Sequence, residues 1–346
     1  MKNFPWLVTI PSGLGDSIQA LVAIKQIICK AEQHPVFLVC DKHLYPLFSD
    51  LEGPTKIFSF QLDLNKIKNF QYDWVIDLAS IDWSFNLCKD LVYFHYARHE
   101  FYSKPILEGS SCIIVDGELF PAKFFDPSGT GISANPSLPA WLLEMQLVSI
   151  IFKEDISNID YSTEPQLNFI SDPEIFIKSH PVKNSILLAP CGSDHGKRWP
   201  ELNWCKLSEL LIKNGFHVSV ILGPWEKEHC KNLIFSKEVV YLDDLNSREL
   251  AACVSLAKFV ISNDCGPMHV SGALNRPTLA IFGPTNPICW FTYSGAHRQF
   301  LRCTKGPDPY TWGKLNPEKK WEYWPTVIDV FNKFSNCLQN FSNVEL

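Results

Sequence analysis

The chain has 346 residues, 46% of them hydrophobic and 20% charged, which is more than one ordinary core can use and suits two globular domains. A formal net charge of −6 argues against a nucleic-acid-binding face, and no apolar run approaches the ~18 residues needed to span a bilayer. The 12 cysteines form no C-x-x-C pair, so reduced, buried thiols are expected rather than a metal site or disulfide framework.

At the start of the chain, Pro5 and Pro11 interrupt a short apolar run, and no small-residue cleavage site follows. A signal peptide is therefore not expected, and the reading is cytoplasmic. A strand is predicted over 6–10, followed by the turn Pro11-Ser12-Gly13-Leu14-Gly15-Asp16. A helix follows over 17–30, with Ile18, Leu21, Val22 and Ile28 on one side. The Gly13–Ile18 stretch imitates the dinucleotide fingerprint, with Asp41 where a ribose-binding acid would stand. Ile18 occupies the place of the third glycine, and Asp16 would repel a pyrophosphate. Three readings of Asp16 stay open: a first-turn acid favoured by the helix dipole, part of a nicotinamide-dinucleotide turn, or a general base.

Further strands are predicted over 36–40, 55–60, 74–78 and 112–115, and their alternation with helices indicates a parallel, Rossmann-like sheet. The aromatic and basic stretch from Phe85 to Lys104, with Tyr93, His95, Tyr96, Arg98, His99 and Tyr102, reads as half-buried packing or as a face for an acceptor or a membrane surface. A Pro-, Gly- and Ser-rich loop covers 117–140 and a helix 140–151. The segment 160–184, with Pro165, Pro173 and Pro181, marks a domain boundary, placed at 178.

Alternation then restarts. A strand over 185–189 leads into Pro190–Glu201, where Gly192 and Ser193 let backbone approach a ligand and Lys197 and Arg198 add positive charge. The turn is not a Walker A loop, because Arg198 stands where Ser or Thr is required. The alternative is a solvated basic turn. Helix 200–213, strand 218–222, helix 227–235, strand 239–242 and helix 247–258 follow. Glu226 and Glu228, after the 218–222 strand, read as ribose ligands or as surface acids.

The most informative segment is 261–287. An apolar run ends in Asn263-Asp264-Cys265-Gly266-Pro267, a short helix follows with Met268, Val270, Ala273 and Leu274, and a strand over 278–282 closes on Gly283-Pro284-Thr285. Loops at the carboxyl ends of parallel strands bind ligands in open α/β sheets, and a helix N-terminus there attracts phosphate. His269 reads either as a structural residue or as part of that turn, and no second His or Cys stands at zinc-ligand spacing. A last helix is predicted over 326–341.

Gly15-Asp16, Lys197-Arg198-Trp199-Pro200, Asn263 through His269 and Gly283-Pro284-Thr285-Asn286-Pro287 together resemble glycosyltransferase family 9, the ADP-heptose:lipopolysaccharide heptosyltransferases. The resemblance is close over about 185–290 and looser in the first 80 residues, where 72–78 is also family-like. It implies an α/β fold of GT-B architecture, two Rossmann-like domains facing across a cleft. Residues 1–178 would form the acceptor side and 179–325 the donor side, with a helix over 326–346 packing back on the first domain. It further implies a metal-independent, inverting transfer of heptose or a related sugar from an ADP-sugar to a cell-envelope glycan such as lipopolysaccharide core. No cofactor or metal is implied, and the nucleotide sugar is a substrate. The partners would be that donor and a glycan or glycolipid acceptor, with no nucleic acid. Such an acceptor is compatible with peripheral contact with the inner face of the cytoplasmic membrane.

By position, the resemblance makes Asp16 the general base and Lys197 the cation at the donor phosphates. Glu226 becomes the ribose ligand, and Asp264, Cys265, Gly266 and His269 the donor turn. Ser193 and Leu245 are weaker donor contacts, and Arg198, for its charge beside the helix start, is also counted as donor-binding. Two departures stand out: position 265 usually carries Thr in this family, and 80–160 lacks its usual acceptor landmarks. The other readings are a protein or other glycan acceptor, a nucleotide-sugar-binding protein without turnover, and an NAD-dependent oxidoreductase resting on Gly13 to Asp41.

Overall fold

The computed structural model describes residues 4–78, 92–95, 112–115, 118–121, 141, 145, 148, 149, 152, 154, 163–167, 173, 182–190, 192, 197–230, 232–283, 285, 287–291, 293, 295–303 and 324–342. Two compact units divide at Met1–Pro165 and Gln166–Leu346. The division lies inside the proline-punctuated 160–184 segment, ahead of the expected boundary at 178.

The first unit is built on five parallel strands: β1 (Trp6–Thr9), β2 (Val36–Cys40), β3 (Lys56–Ser59), β4 (Trp74–Asp77) and β5 (Val92–His95). Their spatial order is β3-β2-β1-β4-β5, so the chain reverses direction across the sheet between β1 and β4. β1 and β2 are buried at every position, as strands covered on both faces must be. Trp6 fixes the edge of this core, stacked on Trp74 at 4.4 Å between centroids and on His34 at 5.2 Å.

Several boundaries differ from expectation. The first helix starts earlier, as α1 (Leu14–Gln19), and continues through Ala20 into α2 (Leu21–Ala31). Asp16 therefore sits in a first helical turn and not in the preceding loop. The fifth parallel strand comes from the aromatic 85–104 stretch. Cys112–Val115, expected in the parallel sheet, instead forms β6, which pairs antiparallel with β7 (Glu118–Pro121). Two short helices, α3 (Tyr45–Phe48) and α4 (Phe60–Lys68), also belong to this unit.

The second unit carries six parallel strands: β8 (Ile186–Ala189), β9 (Val218–Leu222), β10 (Val240–Asp243), β11 (Phe259–Asn263), β12 (Thr278–Phe282) and β13 (Arg298–Arg302). Their order is β10-β9-β8-β11-β12-β13, the doubly wound Rossmann order, with its switch point between β8 and β11. The intervening helices are α5 (Glu201–Lys213), α6 (Pro224–His229), α7 (Ser247–Leu256), α8 (Gly266–Ala273) and α9 (Pro287–Trp290). The helix expected over 227–235 is the shorter, earlier α6; Leu233 and Phe235 beyond it are buried in the core without helix. Helix α7 begins with a full capping box, the Asn246 side chain accepting from Glu249 N–H and the Glu249 carboxylate accepting from Asn246 N–H.

The C-terminal helix, α10 (Val327–Ser342), is announced by the same device. Thr326 Oγ1 accepts from Asp329 N–H at 3.1 Å, and Asp329 accepts from Thr326 N–H at 2.9 Å. Its apolar stripe of Val330, Phe334 and Cys337 belongs to the core of the second unit. Phe334 meets Phe259 and Phe216 edge-to-face at 4.9 and 5.3 Å. Within the second unit, α10 thus covers β11 and α5.

Candidate functional site

In the second unit, every described residue singled out for donor binding lies at the carboxyl edge of the one parallel sheet. Lys197 and Arg198 follow β8, Glu226 follows β9, Leu245 follows β10, and Asp264 to His269 follow β11. Thr285 follows β12. Ser193 falls outside the described residues, as does most of the 191–196 segment.

The two turns flanking the switch point are held together by Asn263, a fully buried amide at the end of β11. Its Oδ1 accepts from Trp199 N–H at 3.1 Å, and its Nδ2 donates to the Pro190 carbonyl. Trp199 is anchored in turn, fully buried, edge-to-face on Trp204 at 5.2 Å and donating Nε1–H to the Pro325 carbonyl at 2.9 Å. Gly192 lets the first turn close on the second: a Cβ there would stand 3.6 Å from the Asp264 carbonyl and 3.7 Å from Cys265 Cβ.

Lys197 and Asp264 form the electrostatic centre. Lys197 Nζ lies 3.1 Å from Asp264 Oδ2, and Thr285 Oγ1 donates to the same oxygen at 2.5 Å. Burial pushes the Asp264 carboxyl up, but Lys197 and His269, helped by Thr285, outweigh it and hold the group below the usual carboxylate range. Asp264 is therefore an anion, and it fixes the ammonium at the start of α8. Lys197 keeps 27% of its side chain exposed and also lies 5.8 Å from the Trp290 ring centroid. The cation is thus tethered yet open to a ligand.

Helix α8 starts at Gly266, with Cys265 as an extended N-cap that makes no side-chain cap and Pro267 in the first turn. First-turn N–H groups have no partner within a helix, and the dipole adds positive charge there. Cys265 Sγ lies 3.2 Å from Ser262 Oγ, and burial pushes its thiol up to about 12. It is a neutral, polarisable group where the resemblance would place a hydroxyl. His269 is buried on α8 and faces Tyr293 edge-on, whose hydroxyl donates to the His269 carbonyl at 3.1 Å.

Arg198 is directed inward, which the sequence could not show. Its Nε donates to the Gly192 carbonyl at 2.8 Å, and Nη1 reaches Cys230 Sγ at 3.6 Å. It stiffens the turn that carries Lys197, where donor contact was expected of it. Leu245 is half-buried beside the α7 capping box. Glu226 folds back over its own helix start, its carboxylate filling the space where a Cβ on Gly223 would stand. Asn263 is the functional residue that sequence reasoning quoted without a role. Its signal was present only as a polar side chain closing a buried strand.

In the first unit, Asp16 is the third residue of α1, and its Oδ2 lies 2.8 Å from where a Cβ on Gly13 would be. This turn follows β1 at the corresponding switch point, between β1 and β4. Asp41, the ribose acid of the dinucleotide reading, accepts from Gln61 Nε2, and His43 contacts the Ser12 carbonyl at 2.9 Å. Among the described residues, no helix is long and apolar enough to cross a membrane.

Residues 154–321 match the model of glycosyltransferase family 9 (heptosyltransferase). Over 93 residues the chain is 37% identical to lipopolysaccharide heptosyltransferase 1 of Salmonella typhimurium, a match covering 26% of this chain and 29% of that protein. The matched length is thus under a third of that curated relative. The structure of an E. coli ADP-heptose lipopolysaccharide heptosyltransferase II aligns with a TM-score of 0.68 at 15% identity, covering 98% of this chain and 99% of that one. A family 9 glycosyl transferase from Veillonella parvula aligns at 0.67 and 16% identity, over 98% of each chain. At these identities the structural likeness establishes a shared α/β fold.

Proposed function

We propose that the chain, whose residues 154–321 match the model of glycosyltransferase family 9 (heptosyltransferase), transfers a sugar from a nucleoside-diphosphate donor to a hydroxyl of a cell-envelope glycan. In its finer form the reading is heptose from an ADP-sugar to a lipopolysaccharide core, with inversion at the anomeric carbon and without a metal ion. The observation that carries it is the Lys197 ammonium, held 3.1 Å from a buried carboxylate beside the N-terminus of α8, at the switch point of a Rossmann sheet.

A sugar hydroxyl is a poor nucleophile, so a carboxylate must take its proton as the new bond forms. Asp16 has that role in this reading. As the glycosidic bond to the diphosphate breaks, the ring becomes oxocarbenium-like and negative charge grows on the departing phosphate. Lys197 and the first-turn N–H groups of α8 stabilise that charge where it develops, which favours the transition state over the bound donor. Asp264 pairs with Lys197 and sets its position. Glu226 would swing outward to bond a ribose hydroxyl, and Leu245 would lie against the nucleoside. Cys265 would contact the donor through a neutral thiol.

The test is transfer from ADP-heptose, read by product mass spectrometry, with a core oligosaccharide and a protein extract as separate acceptors. Asp16→Asn is expected to lower turnover about 10²–10⁴-fold while leaving ADP affinity nearly unchanged, as loss of a general base does. Unchanged turnover in that variant removes Asp16 from the chemistry.

A further inference from the structure

The amino edge of the second sheet carries a separate cavity of about 490 Å³, lined by Asn184, Gly215, Phe216, His217, Lys258, Arg276 and Phe341. Asn184 precedes β8, His217 precedes β9, Lys258 precedes β11 and Arg276 precedes β12. The donor turns lie at the other ends of these strands. With four or five residues per strand, the two edges are roughly 15 Å apart.

The cavity wall is firmly built. Asn184 N–H donates to the Leu256 carbonyl at 3.1 Å, Lys258 N–H to the Ser185 carbonyl at 2.9 Å, and Ile186 N–H to the His217 carbonyl at 2.8 Å. Asn184 and Gly215 both hold positive φ, 64° and 82°, at tight turns into the sheet. Phe216 is fixed edge-to-face on Phe334 at 5.3 Å, and Phe341 lies 5.7 Å from the His297 ring.

The ionisable side chains lining this cavity are all basic. The carboxyl ends of α5 and α7 come to the same rim and favour cations. Arg276 answers that of α7, donating Nη2 to the Ala257 carbonyl at 2.7 Å. Helix-end pairing of this kind does not account for Lys258 and His217, which stand exposed at the mouth, while no carboxylate is among the lining residues. A cavity of this volume is large enough for a small organic ligand. Its lining combines an ammonium, an imidazole, an amide and a guanidinium with two aromatic walls.

We propose that this cavity binds a phosphate-bearing ligand, with Lys258 and His217 on the phosphate oxygens and the group that carries the phosphate lying between Phe216 and Phe341. A soluble phosphate ester and a lipid headgroup present the same phosphate chemistry to this cavity, and the test separates the two sources. The inference is independent of the transfer reaction and of the donor turns.

The test uses the full chain with Lys197→Ala, so that the carboxyl-edge turn does not itself capture phosphate. Inorganic phosphate is titrated calorimetrically into this protein and into the same protein carrying Lys258→Gln and His217→Gln. The dissociation constant is expected to rise about tenfold or more, as for loss of a charge-assisted contact. Lys258→Arg should retain binding, and thermal melts check that the exposed substitutions leave the fold intact. In parallel, the two proteins are co-sedimented with phosphatidylcholine vesicles with and without phosphatidate. Phosphatidate-dependent sedimentation that the double substitution abolishes assigns the headgroup as the source. Phosphate binding without it assigns a soluble phosphate ester. Equal phosphate affinity in both proteins, or binding by neither, overturns the proposal.

Discussion

Replacing Asn263 by Ala tests whether the two ligand turns are one mechanical unit. The substitution deletes the acceptor for Trp199 N–H and the donor to the Pro190 carbonyl, both in fully buried positions. Each orphaned group costs about 1–3 kcal/mol, so a loss near 3–4 kcal/mol is expected, with little relief because Trp199 is pinned by Trp204 and Pro325. For a unit of this size that is a fall in Tm of roughly 6–16 °C, read by calorimetry. The same variant should weaken ADP binding more than its stability loss explains, because Lys197 sits two residues from Trp199 on the released turn. Asn263→Asp separates the two bonds: it keeps an acceptor for Trp199 N–H but sets an oxygen against the Pro190 carbonyl. It should be at least as destabilising as Ala despite its shape. A Tm within a degree of wild type for Asn263→Ala would refute the reasoning, as would normal stability in Asn263→Asp.

The remaining expectations concern the same turn. Asp264 is held below its unfolded value of 3.8, so its contribution to stability is complete above that pH and is lost as pH falls through the folded value. The stability gap between wild type and Asp264→Asn should therefore be widest near neutral pH and close below pH 3.8, as urea titrations at several pH values would show; a gap that widens in acid would contradict the pairing. Cys265, with its thiol pushed up to about 12, should react with iodoacetamide at pH 8 far more slowly than a free cysteine peptide, and mass spectrometry of the labelled peptide measures it. Rapid labelling would contradict a thiol raised by burial.

The parts of the fold legible in the sequence were those where local pattern and tertiary role coincide. Ile186–Ala189, Val218–Leu222 and Thr278–Phe282 are continuous apolar runs because parallel strands are buried on both faces, and polar turns punctuate them. β13 escaped notice because Arg298–Arg302 is an edge strand whose exposed positions break the apolar run. Val92–His95 was masked by the tyrosines and basic residues around it. The candidate site divides the same way. Clustering of Lys197, Asp264 and His269 followed from their places at strand ends. The inward course of Arg198 and the destination of α10 did not, since each depends on partners far along the chain. The two bonds of Asn263 span 64 and 73 residues, and an amide closing a strand looks alike whether it meets ligand, water or a distant backbone.

The glycine pattern of the first turn takes on a different meaning once Asp16 is placed. Gly13 resembles the opening of a dinucleotide fingerprint, where glycine admits a pyrophosphate. Here the space beside Gly13 is taken by the Asp16 carboxylate, 2.8 Å from where a Cβ would be. Gly223 stands in the same relation to Glu226, one helix start to the next, at the N-cap with the acid three residues on. In both cases the obstructing atom is the end of a flexible side chain, so a methyl group would displace the carboxylate before it disturbed the helix. Glycine at these caps is therefore required less by the backbone than by the resting position of an acid. A chain that folded around a pyrophosphate at Gly13 would have no reason to place a carboxylate there. That favours the reading in which the first turn handles a proton and leaves phosphate to the second unit.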